Sequence, residues 1–210
     1  MAFNCDCPLP STLPTLGNAE CKFDFDQVIR LGFQIPQDTP SFADAEEIAT
    51  ASDWTTLTSA VDGTKVILSP LTQGLVIPAS EGAFEGGDDN STVDGLPIYK
   101  GENTVTVEGM FYSVAPSILK VLRELACFSV SQLGSTKLTA YLFTGAKQVV
   151  SMDDFSGIMI NNFRVGSVGS EGYRELNKAP FSFNLKGDWD SDITMTKLDF
   201  DPKSLVNSGS

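Results

Sequence analysis

At 210 residues the chain is long enough to bury a sizeable core, and 41% apolar residues, 20% charged residues, 18 Gly and 11 Pro describe one turn-rich globular domain rather than a disordered or fibrous chain. Lys and Arg total 14 against 27 Asp and Glu, and the formal charge of −13 opposes a sequence-independent grip on phosphate, which needs clustered cations. Histidine is absent, which removes the commonest general acid and base near neutral pH together with Ser-His-Asp and Cys-His machinery, so no enzyme is expected.

The opening MAFNCDCPLP has neither a basic n-region nor an apolar h-region, and no stretch reaches the roughly 18 uninterrupted apolar residues of a membrane span. A soluble product made in a cytoplasm is expected. Residues 1–19 carry Pro8, Pro10 and Pro14 among polar residues, which predicts an extended arm. Cys5, Cys7, Cys21 and Cys127 supply no paired CxxC zinc spacing, so free thiols are expected, with an intersubunit bridge through Cys5 and Cys7 as the alternative.

The predicted domain runs from residue 20 to 201. At 22–26 aromatic rings alternate with charge, which places Phe23 and Phe25 on one face of a half-buried strand. Residues 37–53 are polar and acidic between proline breakers, giving a loop or a short helix at 44–49. Residues 65–68 and 74–77 are short and β-branched, two strands or one bent one. Residues 79–96 form an acidic, glycine-rich loop: between 81 and 95 there are five acids and four glycines, with little to pack.

From 104 to 111 apolar residues alternate cleanly, so Val105 and Val107 face inward, and this strand is expected to pair with the one before the acidic loop in a long hairpin. The strong helix spans 116–132, with Pro116 in its first turn, Gly134 as its stop, and Ile118, Leu119, Val121, Leu122, Leu125, Ala126 and Phe128 on a broad apolar face. Strands recur at 138–143, 158–165 and 181–185 before a polar tail at 202–210. The sum is a mainly β fold, a β-sandwich or half-barrel with one flanking α-helix, an extended N-terminal arm and a long hairpin loop.

Chemistry-bearing patterns are sparse. Carboxylates abound, but no pair stands out as glycosidase-like. Asp88, Asn90, Thr92 and Asp94 have calcium-loop spacing, yet Val93 stands where Gly is required and Tyr99 where a bidentate Glu is required. Asp188, Asp190 and Asp192, with Asp199 beyond, come closer, but Ile193 replaces the Gly. Solvated acidic turns are expected at both. No GxxxxGK[ST] loop is present, and no metal, nucleotide or other cofactor is expected.

The stretches GENTVTVEGMFY, APSILKVLRELACFSVSQLG, KLTAYLF and NKAPFSFNLKGDWD, in that order, resemble the major tail tube proteins of long-tailed bacteriophages, which are similar in fold to the inner-tube proteins of contractile injection systems. The resemblance spans residues 21–200. It implies a virion tail protein, made in the host bacterial cytoplasm, that forms a homo-oligomer of stacked hexameric rings, meets other tail proteins and touches no membrane. Sheets would line a lumen whose acidity repels double-stranded DNA, a transient and non-specifically repelled cargo. The hairpin loop would reach the adjacent ring, ordering there from a disordered free state, with Glu81, Phe84, Glu85, Asp88, Asp89 and Asp94 as its intersubunit residues. The alternative from another class is a capsid decoration or receptor- or glycan-binding β-sandwich, using Trp54, Tyr99, Tyr112, Tyr173 and Trp189 as an aromatic platform.

Overall fold

The computed structural model describes residues 27–87, 95–130, 138–170, 172 and 176–207. The arm at 1–19 with Cys5 and Cys7, Cys21, the strand expected at 22–26, Asp88, Asp89 and Asp94, Gly134, Tyr173 and residues 208–210 lie outside the described residues.

The strands are β1 (Val28–Gln34), β2 (Ile67–Leu68), β3 (Thr72–Val76), β4 (Gly82–Glu85), β5 (Ile98–Glu102), β6 (Val105–Tyr112), β7 (Leu138–Thr144), β8 (Gln148–Met152), β9 (Ile158–Val165), β10 (Lys178–Leu185) and β11 (Ile193–Lys197), with helices α1 (Ala45–Ala49), α2 (Ala51–Ser59) and α3 (Pro116–Val130). The architecture is mainly β, as expected, and it does not close into a barrel. Nine strands form an antiparallel set ordered β11-β8-β7-β9-β10-β6-β3, with β1 added to β7 and β2 to β1, while β4 and β5 pair separately.

β7 is the junction. Along one edge it pairs with β1; along the other, Leu142 and Phe143 pair with β8, whereas Leu138 to Ala140 pair with β9. The set therefore divides at β7 into two layers, β2-β1-β7-β8-β11 and β3-β6-β10-β9. All seven residues of β7 are buried. Because side chains alternate across a strand, Leu138, Ala140 and Leu142 enter a first core between the layers, with Leu31, Phe33, Val107, Phe163 and Phe183. Tyr141 and Phe143 enter a second core on the opposite face, with Phe42, Ile48, Trp54 and Val149.

The second core needs a cover, and α1, α2 and the chain's end supply it. The Asp44 carboxylate caps α1 by accepting from the Glu46 and Glu47 N–H groups at 2.9 and 3.0 Å, and Glu47 reaches back to the Ala43 N–H at 2.7 Å. α2 lies in a Ser- and Thr-rich stretch of low helix propensity where no helix was expected beyond residue 53. It is held by burial of Trp54, whose indole N–H donates to the Ile48 carbonyl at 2.8 Å and whose ring sits 5.0 Å from Tyr141 and 4.9 Å from Phe143.

The segment read as a polar C-terminal tail from residue 202 is instead part of this cover as far as Asn207. Pro202 and Leu205 are buried, and Arg30 donates to the carbonyls of Ser69 (2.9 Å), Pro202 (3.1 Å) and Leu205 (2.5 Å). The Asn207 amide pairs with both backbone groups of Leu68, at 2.8 Å each. Burial pulls the Arg30 pKa below its usual value.

β6 and β10 run side by side in full register, from Val105↔Leu185 to Tyr112↔Lys178, and Val105 and Val107 point inward as expected. At Gly109 the Phe181 ring lies against the backbone, stacked on Phe111 with centroids 4.2 Å apart; a Cβ there would meet the ring at 2.5 Å. The apolar face of α3 is only half used. Leu119 and Leu122 are buried against β9, while Ile118, Val121 and Phe128 remain 40–46% exposed, so the broad face does not lie flat on a sheet.

Two outcomes test this packing. Arg30→Met keeps the aliphatic stem but strands three carbonyls, so urea unfolding should show a loss of about 2–3 kcal/mol, against less than about 0.5 for exposed Lys197→Met. Gly109→Ala must push Phe181 aside, and the same measurement should register about 1–3 kcal/mol of destabilisation.

Candidate functional site

β3 and β6 pair from Thr72↔Phe111 to Val76↔Glu108, and beyond them the chain continues as the separate ribbon β4-β5, so the expected long hairpin is present. The loop assigned to residues 79–96 is thereby corrected: Gly82–Glu85 is a strand paired with Ile98–Glu102 inside one chain. The composition hid this because Glu, Gly and Ala have low strand propensity. The pairing comes from the return stretch opposite, whose Leu96 and Ile98 were not among the candidate residues and whose Tyr99 was named only for an aromatic platform.

The ribbon has a defined geometry. Phe84 and Tyr99 are direct cross-strand partners with ring centroids 5.6 Å apart. The register shifts between Ala83 and Phe84, where Gly101 at φ +129° takes a conformation other residues resist, giving a bulge that strengthens the local twist. Glu85 ion-pairs with Lys100 across the strands. At the base, the Asn103 N–H donates to the Glu81 carbonyl at 2.9 Å, the Ser80 hydroxyl bonds to Glu102, and the Tyr99 hydroxyl donates to Glu102 at 3.1 Å. Desolvation first, then that hydrogen bond and the charges of Glu102 and Asp188, raise the Tyr99 pKa, so its hydroxyl stays a neutral donor.

What the ribbon lacks is a core. Phe84 is 62% exposed, Leu96 66%, Ile98 54% and Tyr99 53%, a run of large apolar side chains in solvent on one projecting element. Two-stranded ribbons are marginal by themselves in water, and contiguous exposed apolar groups mark interaction surfaces. Among the described residues neither β4 nor β5 has a second strand neighbour, so each leaves an edge of free backbone groups. Of the predicted site residues, Glu81, Phe84 and Glu85 come together here, while Asp88, Asp89 and Asp94 lie outside the described residues.

Other candidates separate. Trp54 is fully buried in the second core, Trp189 is half-buried against the first, Tyr112 lies under the Lys178 ammonium at 5.9 Å, and Tyr99 is on the ribbon, so these aromatics share no platform. Asp188, Asp190 and Asp192 fall in a turn after β10, where a 2.8 Å bond from Lys186 leads the causes that lower the Asp188 pKa. Among the described residues no three of His, Cys, Asp and Glu converge as a metal site, and no helix is long and apolar enough to cross a membrane. Cys127 is a free, exposed thiol on α3.

No family model and no curated protein matches this chain. Among solved structures it is similar to a chain of the anti-feeding prophage baseplate, determined by cryo-EM with 6-fold symmetry applied, at 12% identity, covering 86% of this chain and 99% of that one with a TM-score of 0.31. At that score the likeness carries no argument about function.

The double substitution Phe84→Ser and Tyr99→Ser should leave the unfolding free energy within about 0.5 kcal/mol of the parent, since both rings are in solvent. Sedimentation velocity across a concentration series should show association in the parent and its loss in the variant.

Proposed function

We propose that this chain is a non-catalytic structural subunit of a phage-type particle that self-associates through the β4-β5 ribbon, and specifically that it builds a tail tube of stacked hexameric rings that conducts DNA. The observation that carries the reading is the exposed Phe84-Tyr99 pair with Leu96 and Ile98 on a ribbon that the other described residues leave unburied. Such an element is stabilised by an apolar surface of another molecule. The absence of histidine favours a structural over a catalytic role.

We assign the channel wall to the solvent face of β3-β6-β10-β9. Thr106, Glu108 and Met110 project there from β6, the Thr106 hydroxyl bonds to Asn184 at 3.2 Å, and Arg164 bonds to Ser182 at 2.7 Å. Glu108 and Arg164 offset each other, so this wall is polar and near neutral. Much of the acid lies elsewhere, in Asp44, Glu46, Glu47 and Asp53 around α1 and α2 and in Asp153, Asp154, Asp188 and Asp192 around a cleft of about 550 Å³. The expectation of an acidic lumen changes accordingly. On this wall DNA would pass because clustered cations are lacking, with the acidic flanks adding only longer-range repulsion.

Negative-stain electron microscopy of the concentrated protein should show rings or tubes, and a strictly monomeric particle would overturn the reading. Deleting residues 85–94 should leave a domain with the parent's cooperative unfolding that no longer stacks; normal tubes from that variant would remove the ribbon from the interface.

A further inference from the structure

Resting on the reading that the ribbon drives self-association, we infer which surface receives it: a cleft at the opposite end of the same subunit, between the start of α3 and the ends of β6 and β10. The cleft measures about 540 Å³ and is lined by Phe111, Val114, Leu119, Arg123, Val168 and Ala179, among others. Phe111, Leu119 and Ala179 form an apolar floor, and Val168 stands 45% exposed at the rim. Arg123 is the one charged residue among the described lining residues; it reaches the Gly166 carbonyl at 3.4 Å. Lys120, one turn earlier on α3, is largely in solvent, its ammonium 3.9 Å from Glu124.

Three features fit the ribbon of a second copy to this cleft. The first is shape and polarity: an exposed aromatic pair needs an apolar recess, and the cleft has an apolar floor with an open rim. The second is charge. The ribbon's described charges are Glu81, Glu85 and Glu102 against Lys100, a net negative element in which Glu85 is already paired with Lys100, whereas the charge lining the cleft is Arg123, in a chain whose net charge of −13 makes a cationic rim uncommon.

The third is direction. β5 enters β6 at Val105, whereas the cleft lies at Phe111 to Val114, so ribbon and cleft sit at opposite ends of an eight-residue strand, roughly 24 Å apart at about 3.4 Å per residue. The ribbon cannot reach its own cleft. A contact between two different patches is heterologous, and where the operation does not close on itself it propagates from copy to copy. Phe84 and Tyr99 of one subunit enter the cleft of the next, where the net negative ribbon meets Arg123.

A charge-reversal cycle on the full chain tests this. Arg123→Glu, and separately Glu81→Lys, should each raise the concentration needed for assembly by on the order of tenfold, and the two substitutions together should restore it. Val168→Asp, at an exposed rim position, should also block assembly while the unfolding midpoint stays at the parent's value. If both cleft variants assemble normally while the ribbon reversal does not, the receiving surface is elsewhere and the inference falls, with self-association through the ribbon intact. A parent chain that never assembles overturns both.

Discussion

The two-sided burial of β7 is the constraint from which the other layers follow. A strand that sends Leu138, Ala140 and Leu142 to one side and Tyr141 and Phe143 to the other must be covered twice. The β6-β10-β9 layer and α3 cover the first side. The second side has no further sheet, so it recruits α1, α2 and residues 198–207, and Arg30 fastens that cover with three bonds to carbonyls. α2 is a poor helix by propensity and α1 is little more than one turn, and the stability of this layer resides in Trp54 and its aromatic neighbours.

Once both faces of β7 are satisfied, little apolar surface is left for the ribbon to join. β4 and β5 leave the sheet beyond Val105 and Val76 and carry their rings into solvent. The same sequence that places every residue of β7 inside leaves more than half of Phe84 and Tyr99 outside, although Phe and Tyr are residues that usually bury. The contrast is informative because the ribbon is not loose: it has a register, a bulge and a cross-strand ion pair. A defined shape that the other described residues leave uncovered is what a docking element requires, since ordering costs on binding are then small.

Where a pattern repeated at a fixed period, the residues announced their structure. Val105 and Val107, Phe181 and Phe183, and the Pro116 start of α3 were legible because one face is buried and the alternation or helical spacing records it. α2 was not legible, since Ser52, Thr55, Thr56 and Ser59 give no apolar stripe and Trp54 with half-buried Leu57 anchors it. β8 and β11 escaped for a related reason: β11 is a half-buried edge strand of five residues just after the acidic turn at 188–192, and β8 is recognisable only by pairing with it and with β7. In the candidate site, Glu81, Phe84 and Glu85 came from the resemblance, whereas Ile98 was missed and Tyr99 was named only for an aromatic platform, because the return strand falls between the loop ending at 96 and the strand beginning at 104.

Charge and shape act at different ranges in this chain. A net charge of −13 repels copies over about 10 Å at 0.1 M salt, so nonspecific clustering of the exposed rings is opposed before contact. Attraction must then be local, and it can win only where an apolar pair is desolvated beside charges of opposite sign. Glu108 and Arg164 on the sheet face balance one another, the α1-α2 layer is acidic, and Arg123 on α3 is a cation lining an apolar recess. Long-range repulsion thus favours one orientation of approach, ribbon toward α3. It is this polarity, more than the strength of any single contact, that would make the product an ordered stack rather than an aggregate.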